Sequence, residues 1–344
     1  MPQVWTTNFS HCRPASGFWL LASGFFPFGF GFWFLASSPG PHGGTLPRVC
    51  LCIGARRCVR TGGVVGNTVV QIVIWAVVGI GVGTYGTLVG AGGGFIMVPI
   101  FLLALSGIKP AEAAGTSLAV IFFNALSGTA SYVRQGRVDF WTANRLALAT
   151  VPGAIVGAYL SNLFSSRPFY IVFGIFLIAI AVFLNVRPDP KKVKYVPLSP
   201  DDERTLPRGW VERRIVDKSG EEFVYAYNFA GAIALSFVVG FLSSILGIGG
   251  GIIHVPALVF LFGFPAHVAT ATSHYILVIS ALVGSISHLV QGDIRWIPMI
   301  GLSIGVIPGA QIGAQISRRM QGKWIIRSLS IALVVVGLRL LLKK

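Results

Sequence analysis

The sequence predicts an all-α polytopic membrane protein made of two homologous halves, each containing one helix broken by glycines. Of its 344 residues, 54% are hydrophobic and only 11% are charged, whereas a soluble domain carries about a quarter charged residues. Apolar segments recur along the chain, and motifs of the first half return in the same order in the second. Because a span needs about 20 apolar residues, we expect about 8–10 membrane segments.

The positive charge of the chain has a membrane explanation. The net charge is +16, but the 27 Lys and Arg residues are scattered through short loops and ends. A nucleic-acid interface would gather them on one face, whereas cations that flank spans are typical of membrane proteins. We therefore expect a multi-pass protein of the cell membrane, with the lipid bilayer as a partner and no nucleic acid. A homo-oligomer is left open.

Few residues suit metal binding or catalysis. The four cysteines all lie in the first 60 residues and lack the paired CxxC spacing of a zinc site. Eight of the eleven acidic residues lie in Asp189–Glu222, which leaves Glu112, Asp139 and Asp293 elsewhere. We interpret Asp139 and Asp293 as interfacial partners of the nearby Arg137 and Arg295. The sequence thus predicts no enzyme, no metal and no cofactor.

Residues 1–63 form an N-terminal leader of doubtful structure. This part has five arginines and no acidic residue, with an uncharged run from Pro14 to Pro47 that is rich in Phe, Gly and Pro. The run resembles a signal segment or an extra span, but glycine and proline make a poor helix. We favour an over-extended start or a poorly ordered leader.

Two transmembrane repeats follow, residues 64–186 and 229–344. Each contains five apolar segments, and the second segment, directly after a glycine cluster, is only about half a span long. The segments of the first repeat are Val69–Val89, Phe95–Leu105, Ala113–Val133, Ala143–Leu163 and Phe169–Val186. Those of the second repeat are Phe229–Leu246, Ile252–Phe262, Val268–Val290, Ile297–Ile316 and Trp324–Leu342.

The correspondence of the repeats is close in sequence. Pro99 and Pro256 are 157 residues apart, and Ser117 and Ser273 are 156 apart. VPGAIVGA in the first half likewise corresponds to IPGAQIGA in the second. Repeated membrane units of this kind are typical of transporters. The repeats run inverted if the chain crosses the membrane at each broken element, and parallel if the short piece is re-entrant; we favour inverted repeats.

Residues 187–228 form a polar linker between the repeats. It opens with the proline-rich text RPDPKKVKYVPLSP and continues with two alternating runs around KSG. This pattern predicts a small β-hairpin. Since an isolated hairpin is marginally stable, we favour a simple connector over a regulatory module.

The glycine clusters are the candidate binding site. GAGGG and GIGGG interrupt helices in an apolar setting, so their backbone groups must be buried in protein or line a polar cavity. A helix begins after each cluster, and free amides at a helix start attract anions. Close helix packing is the alternative explanation. The candidate anion-binding residues are Gly90, Gly92, Gly93 and Gly94 and their counterparts Gly247, Gly249, Gly250 and Gly251.

Polar residues inside the spans are further candidates. Hydroxyl groups recur in the TS pairs Thr116–Ser117 and Thr272–Ser273, where they can contact an oxyanion or bond the preceding turn. Asn124 is weaker, because its counterpart is Ser280. Three histidines of the second half have no histidine counterpart in the first half: His254, His274 and His288 stand where the first half has Met97, Leu118 and Tyr132. They are candidates for proton coupling, or else buried residues whose hydrogen bonds are made by neighbouring groups.

Taken together, GAGGGFIMVP, GTSL and QGRVDF, with their second copies GIGGGIIHVP, ATSH and QGDIRW, resemble the TauE/SafE sulfite exporter family. The resemblance covers Val64–Lys344 apart from the linker. It implies an integral membrane carrier for small sulfur-containing anions, such as sulfite or organosulfonates, that usually exports them. An anion channel that uses the glycine loops as its filter is the alternative.

Overall fold

The computed structural model describes residues 34–36, 49–51, 64–105, 107–163, 166–186, 207–218 and 220–342. The chain forms two compact units, residues 1–64 and 65–344. In the first unit, strands β1 (Phe34–Ala36) and β2 (Val49–Leu51) pair antiparallel. The rest of the predicted leader lies outside the described residues, so its character stays a prediction.

Helices form at all ten predicted apolar segments of the second unit. The first half contains α1 (Val64–Val89), α2 (Gly94–Ala104), α3 (Pro110–Gln135), α4 (Phe140–Ser161) and α5 (Ser166–Val186). The second half contains α6 (Phe229–Leu246), α7 (Gly251–Phe260), α8 (Ala266–Val290), α9 (Trp296–Arg319) and α10 (Gly322–Leu341). The predicted all-α membrane architecture is confirmed.

Seven of the described helices are long and apolar enough to cross a membrane: α1, α3, α5, α6, α8, α9 and α10. Helices α2 and α7 have 11 and 10 residues, as expected for half-spans. Helix α4 has 22 residues but begins FWTANR, whose polar side chains lower its hydropathy. The chain is therefore a multi-pass membrane protein.

The fourth helix of each half packs along the first helix of the other half. Gly240 of α6 lies against Thr150 of α4, and the equivalent Gly83 of α1 lies against Val306 of α9. Glycine at these points lets the helix backbones approach closely. The two halves are therefore interlocked rather than placed side by side.

Helices α3 and α8 are equivalent in the repeat and pack together in opposite directions. The amide of Arg295, which follows α8, donates to the Thr116 hydroxyl near the start of α3 at 2.9 Å. The amide of Asp139, which follows α3, donates to the Thr272 hydroxyl near the start of α8 at 3.2 Å. Each helix start thus lies beside the end of its counterpart.

The predicted hairpin is present, since β3 (Trp210–Val216) and β4 (Glu222–Asn228) pair antiparallel. The preference for a simple connector over a regulatory module stays a prediction. Tyr225 and Tyr227 are buried, and both rings pack against Phe264 in tilted contacts. The Lys218 amide donates to the carbonyl of Gln135 at the end of α3. The hairpin is therefore attached to the helical unit.

The ion pairs of the two QG loops, Gln135–Phe140 and Gln291–Trp296, differ from our expectation. Asp139 pairs with Arg213 of the hairpin at 2.9 Å, and Arg137 pairs with Asp217 at 3.2 Å. Arg295 pairs with Glu112 rather than with Asp293. The expected Asp139–Arg137 and Asp293–Arg295 pairs were wrong, because partners from distant parts of the chain lie closer in the fold.

Candidate functional site

The two glycine loops meet halfway along the α3–α8 pair. Gly92 and Gly249 both lie against the side chains of Ile121 and Leu277, which are the twelfth residues of α3 and α8. Since α3 and α8 are each long enough to cross a membrane, the loops lie at mid-height of the helical unit.

Two serines hold the loops in equivalent ways. The Ser117 hydroxyl donates to the carbonyl of Gly247 at 2.8 Å, and the Ser273 hydroxyl donates to the carbonyl of Gly90 at 3.3 Å. Each serine thus reaches the loop of the opposite half. These two bonds occupy one carbonyl of each loop.

The glycines at the starts of α2 and α7 have a left-handed backbone. Gly93 has φ 83° and Gly250 has φ 77°, a region that side-chain-bearing residues rarely adopt. This turn directs a run of amides into the protein interior. Seven buried amides have no acceptor among the described residues: Gly93, Gly94 and Phe95 at the first loop, and Gly249, Gly250, Gly251 and Ile252 at the second.

Close packing accounts for part of the glycine pattern. A Cβ atom on Gly94 would come within 2.7 Å of the Gly247 carbonyl oxygen, and one on Gly251 would come within 2.7 Å of the Ala91 Cα. The loops therefore touch each other in this conformation. Close helix packing and anion binding by backbone amides both require glycine at these positions. The glycine pattern is therefore compatible with both explanations.

The threonines of the TS pairs lie away from the loops. The Thr116 hydroxyl accepts a hydrogen bond from the amide of Arg295, and the Thr272 hydroxyl accepts one from the amide of Asp139. The Thr116 hydroxyl also donates to the Glu112 carbonyl at 2.6 Å. Their observed contacts hold the QG loops. Of the four predicted hydroxyl groups, only those of Ser117 and Ser273 reach the glycine loops.

His274 is linked to the first glycine loop by hydrogen bonds. The Thr87 hydroxyl donates to the Asn124 side-chain oxygen at 3.2 Å, and the Asn124 amide donates to the Gly92 carbonyl at 3.1 Å. Since the Thr87 proton points to Asn124, His274 Nε2–H donates to Thr87 at 3.2 Å. His274 Nδ1 is buried without a hydrogen-bond partner in the described part of the chain.

Sequence reasoning did not connect Thr87 or Asn124 with the glycine loops, which they reach through hydrogen bonds. An amide side chain in the middle of an apolar helix is a candidate for function, although the counterpart of Asn124 is Ser280. Thr87 carried no local signal, because a threonine in the last turn of a helix commonly bonds its own backbone.

The other two histidines have partners of their own. His254 Nε2 lies 3.2 Å from the Ser236 hydroxyl. His288 Nε2 bonds the Ser244 carbonyl at 3.1 Å, while its counterpart Tyr132 bonds the Thr87 carbonyl at 2.7 Å. His288 therefore shares a structural contact with the tyrosine that it replaces. Among the described residues, no group of three or more His, Cys, Asp or Glu side chains could hold a metal ion.

Known proteins similar to this chain carry the name of probable membrane transporters. The family model for the sulfite exporter TauE/SafE matches residues 75–340. "Probable membrane transporter protein YunE" of Bacillus subtilis is 38% identical over 277 residues, which cover 79% of this chain and 97% of that protein. "Probable membrane transporter protein MJ0441" of Methanocaldococcus jannaschii is 28% identical over 280 residues, covering 77% and 94%. No solved structure matches the chain.

The family match spans both repeats and the linker, and it agrees with the resemblance carried by the two glycine motifs. The membrane helices, the paired glycine loops and the relatives lead to the same conclusion. The chain belongs to the TauE/SafE sulfite exporter family and is a multi-pass membrane transporter.

Proposed function

We propose that the protein is a secondary transporter that exports small sulfur-containing anions, such as sulfite or organosulfonates, and that it catalyses no chemical reaction. The observation that carries the proposal is the set of seven buried amides without acceptors in the described part of the chain, three at the first glycine loop and four at the second. Buried backbone N–H groups are almost always paired. A bound oxyanion supplies the acceptors that these amides lack.

The chemistry of the loops suits an anion. Each amide run lies at a helix start, where the helix dipole adds partial positive charge. Neither loop contains Lys or Arg, so the site avoids the cost of burying a full positive charge in the membrane. An oxyanion with several oxygens can accept from both loops at once.

The arrangement of the halves supports alternating access. The antiparallel packing of α3 and α8 is what inverted repeats would produce, and inverted repeats let a carrier open to either side around a central site. The loops meet at the centre of this pair. We therefore propose that the anion is held at the interface of the repeats and released when one half moves relative to the other.

Binding is tested first with purified protein in detergent. Thermal shift is measured with sulfite, thiosulfate, sulfate, several sulfonates and chloride, because a ligand that binds the native state raises its stability. We expect a sulfur oxyanion to stabilise the protein and chloride to have little effect. If none of the sulfur anions binds or is transported, the proposed substrate class is wrong.

Counterflow in liposomes separates a carrier from a channel. A carrier that alternates between two faces takes up labelled substrate faster when unlabelled substrate is present on the opposite side. A channel with the loops as a filter shows no such stimulation. Stimulated uptake supports the carrier, whereas substrate flux without stimulation supports the channel.

A further inference from the structure

A cavity of about 510 Å³ lies between the C-terminal ends of α3 and α9, away from the glycine loops. Three arginines line it, together with three glutamines and Ser131. The arginines are Arg134, Arg318 and Arg319. The cavity opens at the end of the molecule where the hairpin is attached, since Lys218 bonds Gln135 at the same helix end.

The arginines of this cavity are not neutralised. Among the described residues, none of the three forms an ion pair, and no carboxylate lines the cavity. Their guanidinium groups are exposed. Arginine presents donors in a fork that matches an oxyanion, so three unpaired guanidinium groups around one cavity attract an anion strongly.

The amide side chains form an ordered wall. Gln311 donates to the carbonyl of Ser127 at 2.8 Å and contacts the Ser131 hydroxyl. Gln135 donates to the carbonyl of Ala314 at 3.3 Å, which leaves its buried side-chain oxygen without a partner in the described part of the chain. The wall is therefore held in place by contacts between α3 and α9.

The opposite end of the molecule lacks this cluster. The repeat places Val290 at the position of Arg134, and Asn162 and Leu163 at those of Arg318 and Arg319. Tyr159 likewise stands in place of Gln315. If the arginines only stabilised the scaffold that the two halves share, both halves would carry them. The cationic cavity therefore has a function that differs between the two faces of the membrane.

We propose that this cavity is a vestibule that captures the oxyanion substrate on the hairpin face before it reaches the glycine loops. The proposal rests on the proposed transport of sulfur anions and adds the face from which they enter. Unscreened positive charge in a cleft raises the local anion concentration and the association rate, and salt weakens both effects. A lipid phosphate has the same chemistry, so the test must separate the two sources.

The test variant is Arg134→Gln/Arg318→Gln/Arg319→Gln, with Arg327→Gln as its matched control. Arg327 is a cation near the same helix end whose guanidinium lies over the Trp324 ring instead of lining the cavity. Sulfite transport from the hairpin face is measured in phosphatidylcholine liposomes whose orientation is sorted by protease access to the linker. The parent serves as reference at low and high salt.

We expect the triple variant to raise KM about tenfold at low salt, in the range of steering effects, while kcat changes less than about twofold. The KM of the parent should rise with salt, and that of the variant should depend on salt far less. Arg327→Gln should behave as the parent. Since the three side chains are exposed, the triple variant should unfold at the same temperature as the parent protein. If the triple variant unfolds at a lower temperature, Arg318→Gln alone is used as the test variant.

The outcomes separate the two proposals. A folded parent that moves no sulfur anion contradicts the proposed function. A parent that transports sulfite, with a triple variant of unchanged KM and salt dependence, overturns the vestibule. A KM effect that appears only after phosphatidylglycerol is added, together with loss of that lipid from the variant in native mass spectrometry, assigns the cavity to a lipid phosphate and also overturns the vestibule.

Discussion

At the level of single residues, Gly93 and Gly250 combine two requirements that only glycine meets together. Each has a left-handed backbone at a helix start, and each packs against a valine of the preceding helix. A Cβ atom would lie 2.8 Å from the Cγ1 of Val82 or of Val239. Backbone strain and crowding therefore act on the same residues whose amides point inward.

We expect Gly93→Ala and Gly250→Ala each to weaken sulfite binding about tenfold or more, as the loss of one hydrogen bond to a charged group would. Each should also lower the free energy of unfolding by about 1–2 kcal/mol from the left-handed backbone. Binding is measured by calorimetry and stability by thermal unfolding. The protein should still purify as a discrete species.

Gly263→Ala is the control for backbone strain, because Gly263 has φ +69° and no atom within 4 Å of the added Cβ. It should lose stability but keep its affinity. Gly157→Ala is unsuitable as a packing control, since its Cβ would collide with the Phe241 carbonyl. Unchanged affinity in both loop variants would contradict the amide site.

His274 is the histidine with a hydrogen-bonded route to the loops. Glutamine keeps a donor for Thr87 but does not titrate near neutral pH. We expect His274→Gln to lose the dependence of transport on a pH gradient while still exchanging substrate in counterflow. His254→Gln, which alters the separate contact with Ser236, should keep that dependence. If both variants respond to the gradient as the parent does, His274 is not the coupling residue.

At the level of elements, the β3–β4 hairpin shows how a polar insert becomes part of the helical unit. Asp139 caps α4 and accepts hydrogen bonds from Thr142, Arg213 and Tyr225. Burial alone would raise the pKa of Asp139, but these bonds together hold it below the usual value of 3.8. One carboxylate thus joins the hairpin to the start of α4.

Removal of one partner from a largely buried ion pair costs about 3 kcal/mol or more. We expect Arg213→Gln to lower the free energy of unfolding by about that amount at pH 7 and to speed hydrogen exchange in β3 and β4. Arg214→Gln is the matched control, because the neighbouring Arg214 pairs with Glu222 on the exposed side of the hairpin. Its effect should stay below about 1 kcal/mol.

The effect of Arg213→Gln should depend on pH in one direction. Because the pKa of Asp139 is lowered in the folded protein, its stabilising contribution is fully present above the unfolded value and is lost as pH falls through the folded value. The stability difference between parent and Arg213→Gln should therefore shrink below about pH 4. A difference that stays constant down to pH 3 would show that Asp139 does not carry the contact.

At the level of the whole molecule, the antiparallel α3–α8 pair predicts that the two QG loops face opposite sides of the membrane. The hairpin end also gathers cations, among them Arg134, Arg318 and Arg319 of the cavity and Arg213, Arg214 and Lys218 of the hairpin. Cytoplasmic loops carry the excess of such residues. We therefore expect the hairpin end, with its arginine-lined cavity, to face the cytoplasm, as export requires.

Single cysteines test this arrangement in a background without the native cysteines. Arg137 is buried in its ion pair, so Lys218, which is exposed on the hairpin, marks that end, and exposed Arg295 marks the other. An impermeant thiol reagent should label Arg295→Cys in intact cells and Lys218→Cys only after permeabilisation. Labelling of both from the same side would contradict inverted repeats.

Much of the architecture follows from the sequence, because each element depends on local patterns. A run of apolar residues forms a helix wherever the membrane surrounds it, a glycine cluster interrupts that helix, and alternation around a turn forms a hairpin. The repeat spacing also links Ser117 with Ser273, and these two residues make equivalent contacts with the two glycine loops.

Only the tertiary structure decided which polar groups meet. Asp139 finds Arg213 rather than Arg137, the TS threonines hold the QG loops, and His274 reaches Gly92 through Thr87 and Asn124. These contacts join residues far apart in the chain, and each depends on how the helices of the two halves interlock. Local sequence determines whether a helix forms, but the partner of a buried polar side chain depends on which helix packs against it.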